Sequence, residues 1–345
     1  EAGGFLEADG VLGTGNRRQL LPRVMEYFSA KQRIVDIAPH EKGEKLERLS
    51  VSKMQGRTRA FLKIEDGCDR FCSYCIIPYA RGRVRSKPLE DIREEAAALA
   101  GHGYREIVLA GINLPAYGQD LGLHLCDAVD AVCGVEGIFR VRLGSLEPEQ
   151  LTKEVIGRLA AQEKLCPQFH LSLQSGCRET LRRMNRHYTP GEYRKIVEDL
   201  REAFPGCAIT TDVMVGFAGE TEEEFRESLA FVESVAFARV HVFAYSRRPG
   251  TKAYDAPGQV PEKVKEARSR EMIAATVKAR QAFYQQQMGQ VQPVLFEQQA
   301  APSVYEGYTP NYTPVRAASG EELQGQVLPV RLTGILEDGC TGELV

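Results

Sequence analysis

The run Gly67-Cys68-Asp69-Arg70-Phe71-Cys72-Ser73-Tyr74-Cys75 places three thiols within eight residues, immediately after the apolar stretch Phe61–Ile64. Thiolates are the usual ligands of iron–sulfur clusters. Three on one compact loop can hold three irons of a cubane and leave the fourth open to a ligand's amino and carboxylate groups. The alternative is a structural zinc site, which needs four ligands. None follows Cys75 closely; His102 and Cys126 are the next candidates. A loop directly after a strand is where parallel α/β folds hold ligands, beyond the carboxyl ends of the strands.

Working outward, short apolar runs alternate with amphipathic ones. The expected strands are Phe61–Ile64, Glu106–Ala110, Phe139–Leu143, Phe169–Leu173, Ala208–Val215 and Val240–Ala244, with helical patterns such as Glu90–Ala100 and Glu222–Val235 between them. Thr221 with Glu224 three residues later is a capping box that opens the second of these helices. Six βα units in succession imply a parallel sheet wrapped by helices. The periodicity does not distinguish an open sheet from a partial barrel. Residues 261–288 read as one long helix between Pro261 and Gly289. Residues 290–345 change texture to short alternating runs such as Gln326–Leu332, the pattern of a small all-β module. Before the core, Gly10–Phe28 carries a strand-turn-helix signal and Glu41–Glu47 a charged connector. The chain thus divides at 1–50, 51–288 and 289–345.

At 345 residues, with 43% hydrophobic and 26% charged, the chain can bury a core without disulfide staples. Three of its nine cysteines sit in the loop, and Cys126, Cys133, Cys166, Cys177, Cys207 and Cys340 are scattered. That distribution implies reduced thiols plus one metal site in a cytoplasmic protein, not a secreted disulfide framework. No stretch approaches the ~20 apolar residues of a membrane span, and no signal peptide is visible. A net charge of −3 does not by itself favour nucleic acid.

The C-x3-C-x2-C spacing, with Tyr74 before the last cysteine, resembles the signature of the radical S-adenosylmethionine (SAM) superfamily. The longer run CSYCIIPYARGRVRS (Cys72–Ser86) is similar to the methylthiotransferases within it, as are RLGSLEP (Arg142–Pro148), FHLSLQSGC (Phe169–Cys177), MNRHYT (Met184–Thr189) and DVMVGFAGET (Asp212–Thr221). With GYTPNY (Gly307–Tyr312), these resemble most the tRNA methylthiotransferases acting on N6-threonylcarbamoyladenosine. The resemblance runs from Gly10 to the end of the sequence. It implies a partial (βα)6 barrel followed by a TRAM domain, a small β-barrel that binds RNA. It also implies a [4Fe–4S] cluster on Cys68, Cys72 and Cys75, S-adenosylmethionine on the open iron, an electron donor, and tRNA as substrate. Tyr74 is expected near the adenine of the cofactor and Gly111-Ile112-Asn113 at its methionyl amino group. Gln174, Ser175, Arg142 and Arg186 are expected to face the cofactor, with Gly216, Gly219 and Glu220 at the end of the fifth strand. Members of the family often have Pro where this chain has Ala218. Full-length members also carry three N-terminal cysteines for a second cluster. No cysteine precedes Cys68, and Ala8–Phe28 resembles only the tail of that domain, so the chain reads as truncated.

Arg81, Arg83, Arg85 and Lys87 alternate after the cluster loop, and an extended backbone would aim them to one side for phosphate contacts. A solvated basic loop is the other reading. In the C-terminal module Tyr308, Asn311 and Tyr312 either stack on and hydrogen-bond to unpaired bases or serve as core and turn residues. Residues 289–345 hold two arginines, no lysine and seven acidic residues, an awkward balance for an RNA-binding barrel, so phosphate binding is assigned mostly to the core. Two rivals remain: an enzyme that methylthiolates an aspartate of a ribosomal protein, and a non-catalytic zinc-stabilised RNA-binding protein.

Overall fold

The computed structural model describes residues 8–15, 17–41 and 43–345. Residues 1–7 of the expected N-terminal segment, with Asn16 and Lys42, lie outside the described residues. What is described of that segment is a strand, β1 (Gly10–Leu12), a helix, α1 (Leu20–Ala30), and a second strand, β2 (Ile34–Asp36), parallel to the first.

The central body is mixed α/β, and its strands run parallel in chain order. β3 (Arg59–Lys63) pairs with β6 (Glu106–Ala110), which pairs with β7 (Arg140–Leu143). A short antiparallel ribbon, β4 (Glu65–Asp66) with β5 (Arg85–Ser86), flanks the cluster loop. Only Gly144 separates β7 from β8 (Ser145–Leu146), and β8 opens a second sheet through β9 (Gln168–Leu171) and β10 (Ala208–Val215) to β11 (Arg239–Ala244). One stretch of chain thus serves both sheets. Alternation explains the strands: Ala60, Leu62 and Ile64 are fully buried in the core, while Phe61 between them faces the other way at 41% exposure.

Helices alternate with these strands, and most of them cover the apolar face. They are α2 (Ile77–Arg81), α3 (Leu89–Gly101), α4 (Leu125–Cys133), α5 (Lys153–Ala160), α6 (Arg178–Arg183), α7 (Pro190–Ala203), α8 (Glu222–Val235) and α9 (Glu262–Gln287). The expected capping box at Thr221 and Glu224 opens α8, and a second, Thr189 with Glu192, opens α7 with Pro190 at its first position. α9 leads into a closed five-stranded barrel, β12 (Val291–Ala301), β13 (Val304–Tyr308), β14 (Pro314–Ala318), β15 (Val327–Leu336) and β16 (Gly339–Leu344), in the order β12-β13-β14-β16-β15. Its core of Val294, Phe296, Tyr305, Val315, Leu332 and Cys340 also takes in Tyr284 of α9. Gly307 is required there, because a Cβ would fall 2.3 Å from the Leu295 carbonyl oxygen.

The barrel docks on the amino-terminal ends of the parallel strands through a buried charged network. Glu106, 1% exposed, accepts from Arg142 Nε at 2.9 Å and lies 3.5 Å from Arg140 and 3.9 Å from Arg59. The same arginines reach across. Arg140 Nη1 donates to the Tyr308 carbonyl at 3.2 Å, Arg142 Nη1 to the Pro310 carbonyl at 3.0 Å, and Arg59 pairs with Glu297. Arg59 and Arg142 also lie over the Tyr312 ring at 4.9 and 4.6 Å, and Tyr308 stacks on Tyr312 at 4.5 Å.

Among the described residues no helix is long and apolar enough to cross a membrane. All nine cysteines are unpaired.

Candidate active site

The cluster loop lies where β3 ends, beside the ends of β6, β8, β9 and β10. Gly67 has φ +88°, and a Cβ there would sit 2.0 Å from the Arg83 carbonyl oxygen, so only glycine permits the loop to close. Cys68 N–H donates to the Gly82 carbonyl at 3.1 Å and Cys75 N–H to that of Cys72 at 3.0 Å. The Met184–Thr189 segment buttresses the loop from outside. Ser73 N–H donates to the Met184 carbonyl at 3.0 Å, and the Asn185 side chain donates to the Phe71 carbonyl at 3.0 Å. Buried Arg186 donates to the Cys72 sulfur at 3.3 Å, while Glu147 and the Ser172 carbonyl hold its guanidinium in place.

The three loop thiols are partly exposed, whereas the other six cysteines are buried. Burial, with the neighbouring thiols and Glu147, pushes the Cys68 thiol up to about 12 and also raises Cys75, so metal binding must displace protons here. The donor set fits an iron–sulfur cubane. Soft thiolates suit it, and a cubane would take one thiolate on each of three irons, which matches a set of three cysteines.

Two orphaned acceptors lie beside the loop. Glu65, fully buried, accepts the Asn113 N–H at 2.9 Å through Oε2, while its Oε1 and the Asn113 Oδ1 are buried without partners. Burial pushes the Glu65 carboxyl up to about 7, against the backbone N–H groups of Asn113 and Ile112. Gly111 packs so closely on this carboxylate that a Cβ would meet it at 2.6 Å. A bound ammonium or hydroxyl would satisfy both acceptors. The sequence reading missed Glu65, two residues before the cluster run, and Glu147, inside the quoted RLGSLEP.

The other expected site residues divide. Tyr74, Gly111, Asn113 and Arg186 gather around the cluster loop. Gln174 lies at the end of β9 with φ +65°, an uncommon conformation for a non-glycine residue. Arg142 does not belong with them, because it lies in the docking network at the opposite ends of the strands. Ser175 is fully buried, and its hydroxyl accepts from the Cys177 N–H at 3.2 Å and faces Ser228. Gly216 has φ +68°, but the space a Cβ would need is filled by Lys265 at 2.3 Å rather than left for a ligand.

The basic row is also corrected. Arg81 ends α2, so the backbone is not extended through the row. Arg81 pairs with buried Asp66 at 3.4 Å, Arg85 is buried against Glu44 at 2.8 Å, and Lys87 is buried with Glu95. Only Arg83 is largely exposed, paired with Asp69 at 2.9 Å. Tyr308 and Tyr312 are committed to the docking interface, and Asn311, 6% exposed, donates to Gln287 at 3.0 Å. The structure therefore takes these three away from a free RNA-stacking surface.

Residues 62–232 match the family model of the radical SAM superfamily. The chain is 37% identical to a threonylcarbamoyladenosine tRNA methylthiotransferase of Bacillus subtilis, over 94% of this chain and 73% of that protein. It is 36% identical to the Thermotoga maritima enzyme of the same description, over 99% and 78%. A tRNA-2-methylthio-N6-dimethylallyladenosine synthase of Pelotomaculum thermopropionicum matches at 36%, over 99% and 77%.

Proposed function

This chain belongs to the methylthiotransferase family of radical SAM enzymes, and we propose that it replaces the C2 hydrogen of N6-threonylcarbamoyladenosine in tRNA, on the 3′ side of the anticodon, with a methylthio group. The family uses a [4Fe–4S] cluster and S-adenosylmethionine. Identity of 36–37% to enzymes of this description, over 94–99% of this chain and 73–78% of theirs, carries the reading, and three clustered thiols at the carboxyl ends of parallel strands support it. In this reading residues 51–288 are a partial (βα)6 barrel, residues 289–345 a TRAM domain and residues 1–50 an N-terminal α/β segment.

An aromatic C2–H offers no acidic proton and no leaving group, and the bound cluster and cofactor supply the one-electron chemistry it requires. The chain's own residues position the parts. Cys68, Cys72 and Cys75 hold the cluster, and Arg186, fixed by Glu147, holds the Cys72 sulfur and offsets its charge. Glu65 fixes the Gly111–Asn113 turn, and with Asn113 presents acceptors to the cofactor's amino group or ribose. Tyr74, packed edge-on against Phe217, closes the cofactor side and helps to exclude water.

The test is mass spectrometry of tRNA nucleosides from cells lacking the endogenous enzyme, with and without this gene. Appearance of 2-methylthio-N6-threonylcarbamoyladenosine is expected. Appearance of the methylthio dimethylallyl product alone would transfer the chain to the other substrate.

A further inference from the structure

The strands' inner face, turned away from the helices, carries polar side chains that the cluster end does not use. His170 on β9 has Nδ1 3.0 Å from the Thr210 hydroxyl and Nε2 3.3 Å from the Asp212 carboxylate, both on β10. The His241 ring on β11 is centred 6.0 Å from that of His170. His170, Thr210, His241 and Arg239 line a cavity of about 380 Å³ between the sheet and the C-terminal barrel. Arg239 is held only loosely, 3.7 Å from Asp338. On the two edge strands of the same face, Phe61 and Phe243 are 41% and 52% exposed. Their apolar neighbours Leu62 and Val242 pack against the core on the other side. Two phenyl rings left open on the edge strands of a sheet are surfaces for a flat ring to stack on.

We infer that this polar strip reads the N6 substituent of the target adenine, and that it selects a threonylcarbamoyl group over a dimethylallyl group. The inference rests on the tRNA reading above and deepens it. For C2 to meet the cofactor, that edge of the base must face the carboxyl ends of the strands. N6 lies across N1 from C2, so its substituent extends down the inner face. Asp212 is three residues below Val215, where β10 ends, roughly 10 Å at the rise of a strand. A threonylcarbamoyl group brings urea N–H donors for Asp212, a hydroxyl and carbonyl for Thr210 and the imidazoles, and a carboxylate for Arg239 and His241. A dimethylallyl group offers only hydrocarbon and would strip these side chains of water without replacing their hydrogen bonds. Sites built to hydrogen-bond a substrate reject the analogue that lacks those groups much more strongly than apolar pockets reject an extra methyl.

The experiment measures binding of three anticodon stem–loop RNAs, identical except that the target base is adenosine, its threonylcarbamoyl derivative or its dimethylallyl derivative. The full chain with its cluster reconstituted is titrated by fluorescence anisotropy, beside His241→Phe and Asp212→Asn. Melting curves and iron content confirm that each variant is folded. The wild type is expected to prefer the threonylcarbamoyl loop over the dimethylallyl loop by about tenfold or more, and each variant to lose most of that preference. Unchanged preference in both folded variants overturns the inference. So does a wild type that prefers the dimethylallyl loop, which leaves the family reading intact. A wild type that binds none of the three overturns the tRNA reading and this one with it.

Discussion

Replacing Glu106 with Gln tests what holds the C-terminal barrel to the core. The carboxylate is 1% exposed and faces Arg142, Arg140 and Arg59 at 2.9, 3.5 and 3.9 Å. Glutamine keeps the shape and one acceptor but removes the charge, leaving three guanidiniums crowded in a dry site. Breaking a buried ion pair by removing one partner costs about 3–5 kcal/mol. Here the lower end applies, because Arg59 keeps Glu297 and the other two keep the carbonyls of Tyr308, Pro293 and Pro310. A loss of about 3 kcal/mol lowers the melting midpoint by roughly 6–12 °C for a domain of this size. Circular dichroism melts at neutral pH read that shift. The pH dependence supplies a second check. Burial opposes ionisation of Glu106, but Arg142, Arg140 and Arg59 outweigh it and hold the carboxyl below its ordinary value of 4.5. A depressed folded-state value contributes stability that is complete above the unfolded value and lost as pH falls through the folded one. The gap between wild type and Glu106→Gln is therefore widest above about pH 4.5 and narrows in acid. A variant that melts within a degree or so of wild type at pH 7, or a gap that persists undiminished at low pH, would refute the argument.

Anaerobic reconstitution should load the chain with about four irons, the content of one cubane. Alanine at Cys68, Cys72 or Cys75 should abolish the cluster, while alanine at Cys126 or Cys133 should leave the iron count unchanged; iron retained in Cys75→Ala would undo the ligand assignment. Arg83→Gln should change urea stability by less than ~0.5 kcal/mol, since exposed pairs contribute little, yet reduce the salt slope of tRNA binding by about one. Arg85→Gln should cost more, about 1–3 kcal/mol of stability, because it removes a buried guanidinium from Glu44 and from the Arg81 carbonyl behind the cluster loop. Equal stability of the two variants, by urea titration, would show that their different burial has no energetic consequence.

The strands and capped helices were legible because their signals are local. Glu106–Ala110 and Ala208–Val215 are found with the bounds the alternation predicts, and the Thr221 box opens the helix it announces. Depth was not legible. The period of a strand says which residues share a face, not whether a polar one lies at the floor or the mouth of the sheet. RLGSLEP holds both cases within a few residues: Arg142 turns to the docking interface, and Glu147 turns to Arg186 beside Cys72. What separates them is the direction of the chain relative to the barrel beneath it, a contact made 168 residues later in sequence. The strip of His170, Thr210, Asp212 and His241 was missed for the same reason, since three strands bring it together and no single segment displays it.

The basic row misled for a different physical reason. A carboxylate cannot be buried without compensation, and Asp66 is fully buried just before the cluster loop, where it accepts the Gly67 N–H at 2.9 Å. Lys63, Arg81 and Arg17 gather on it, with Arg81 and Arg17 at 3.4 and 3.5 Å. A sequence that must hold a tight loop on a buried acid therefore needs cations nearby whatever its substrate is. Four basic residues at alternate positions look the same whether they face phosphate or, as here, pair one by one with Asp66, Asp69, Glu44 and Glu95. The acidic C-terminal barrel follows the same logic from the other side. Its Glu297 and its two tyrosines meet arginines of the core, so its negative charge is compatible with docking and says nothing against RNA binding elsewhere on the molecule. Charge read from sequence counts demand and supply together, and only the structure shows how much of the supply is left for a ligand.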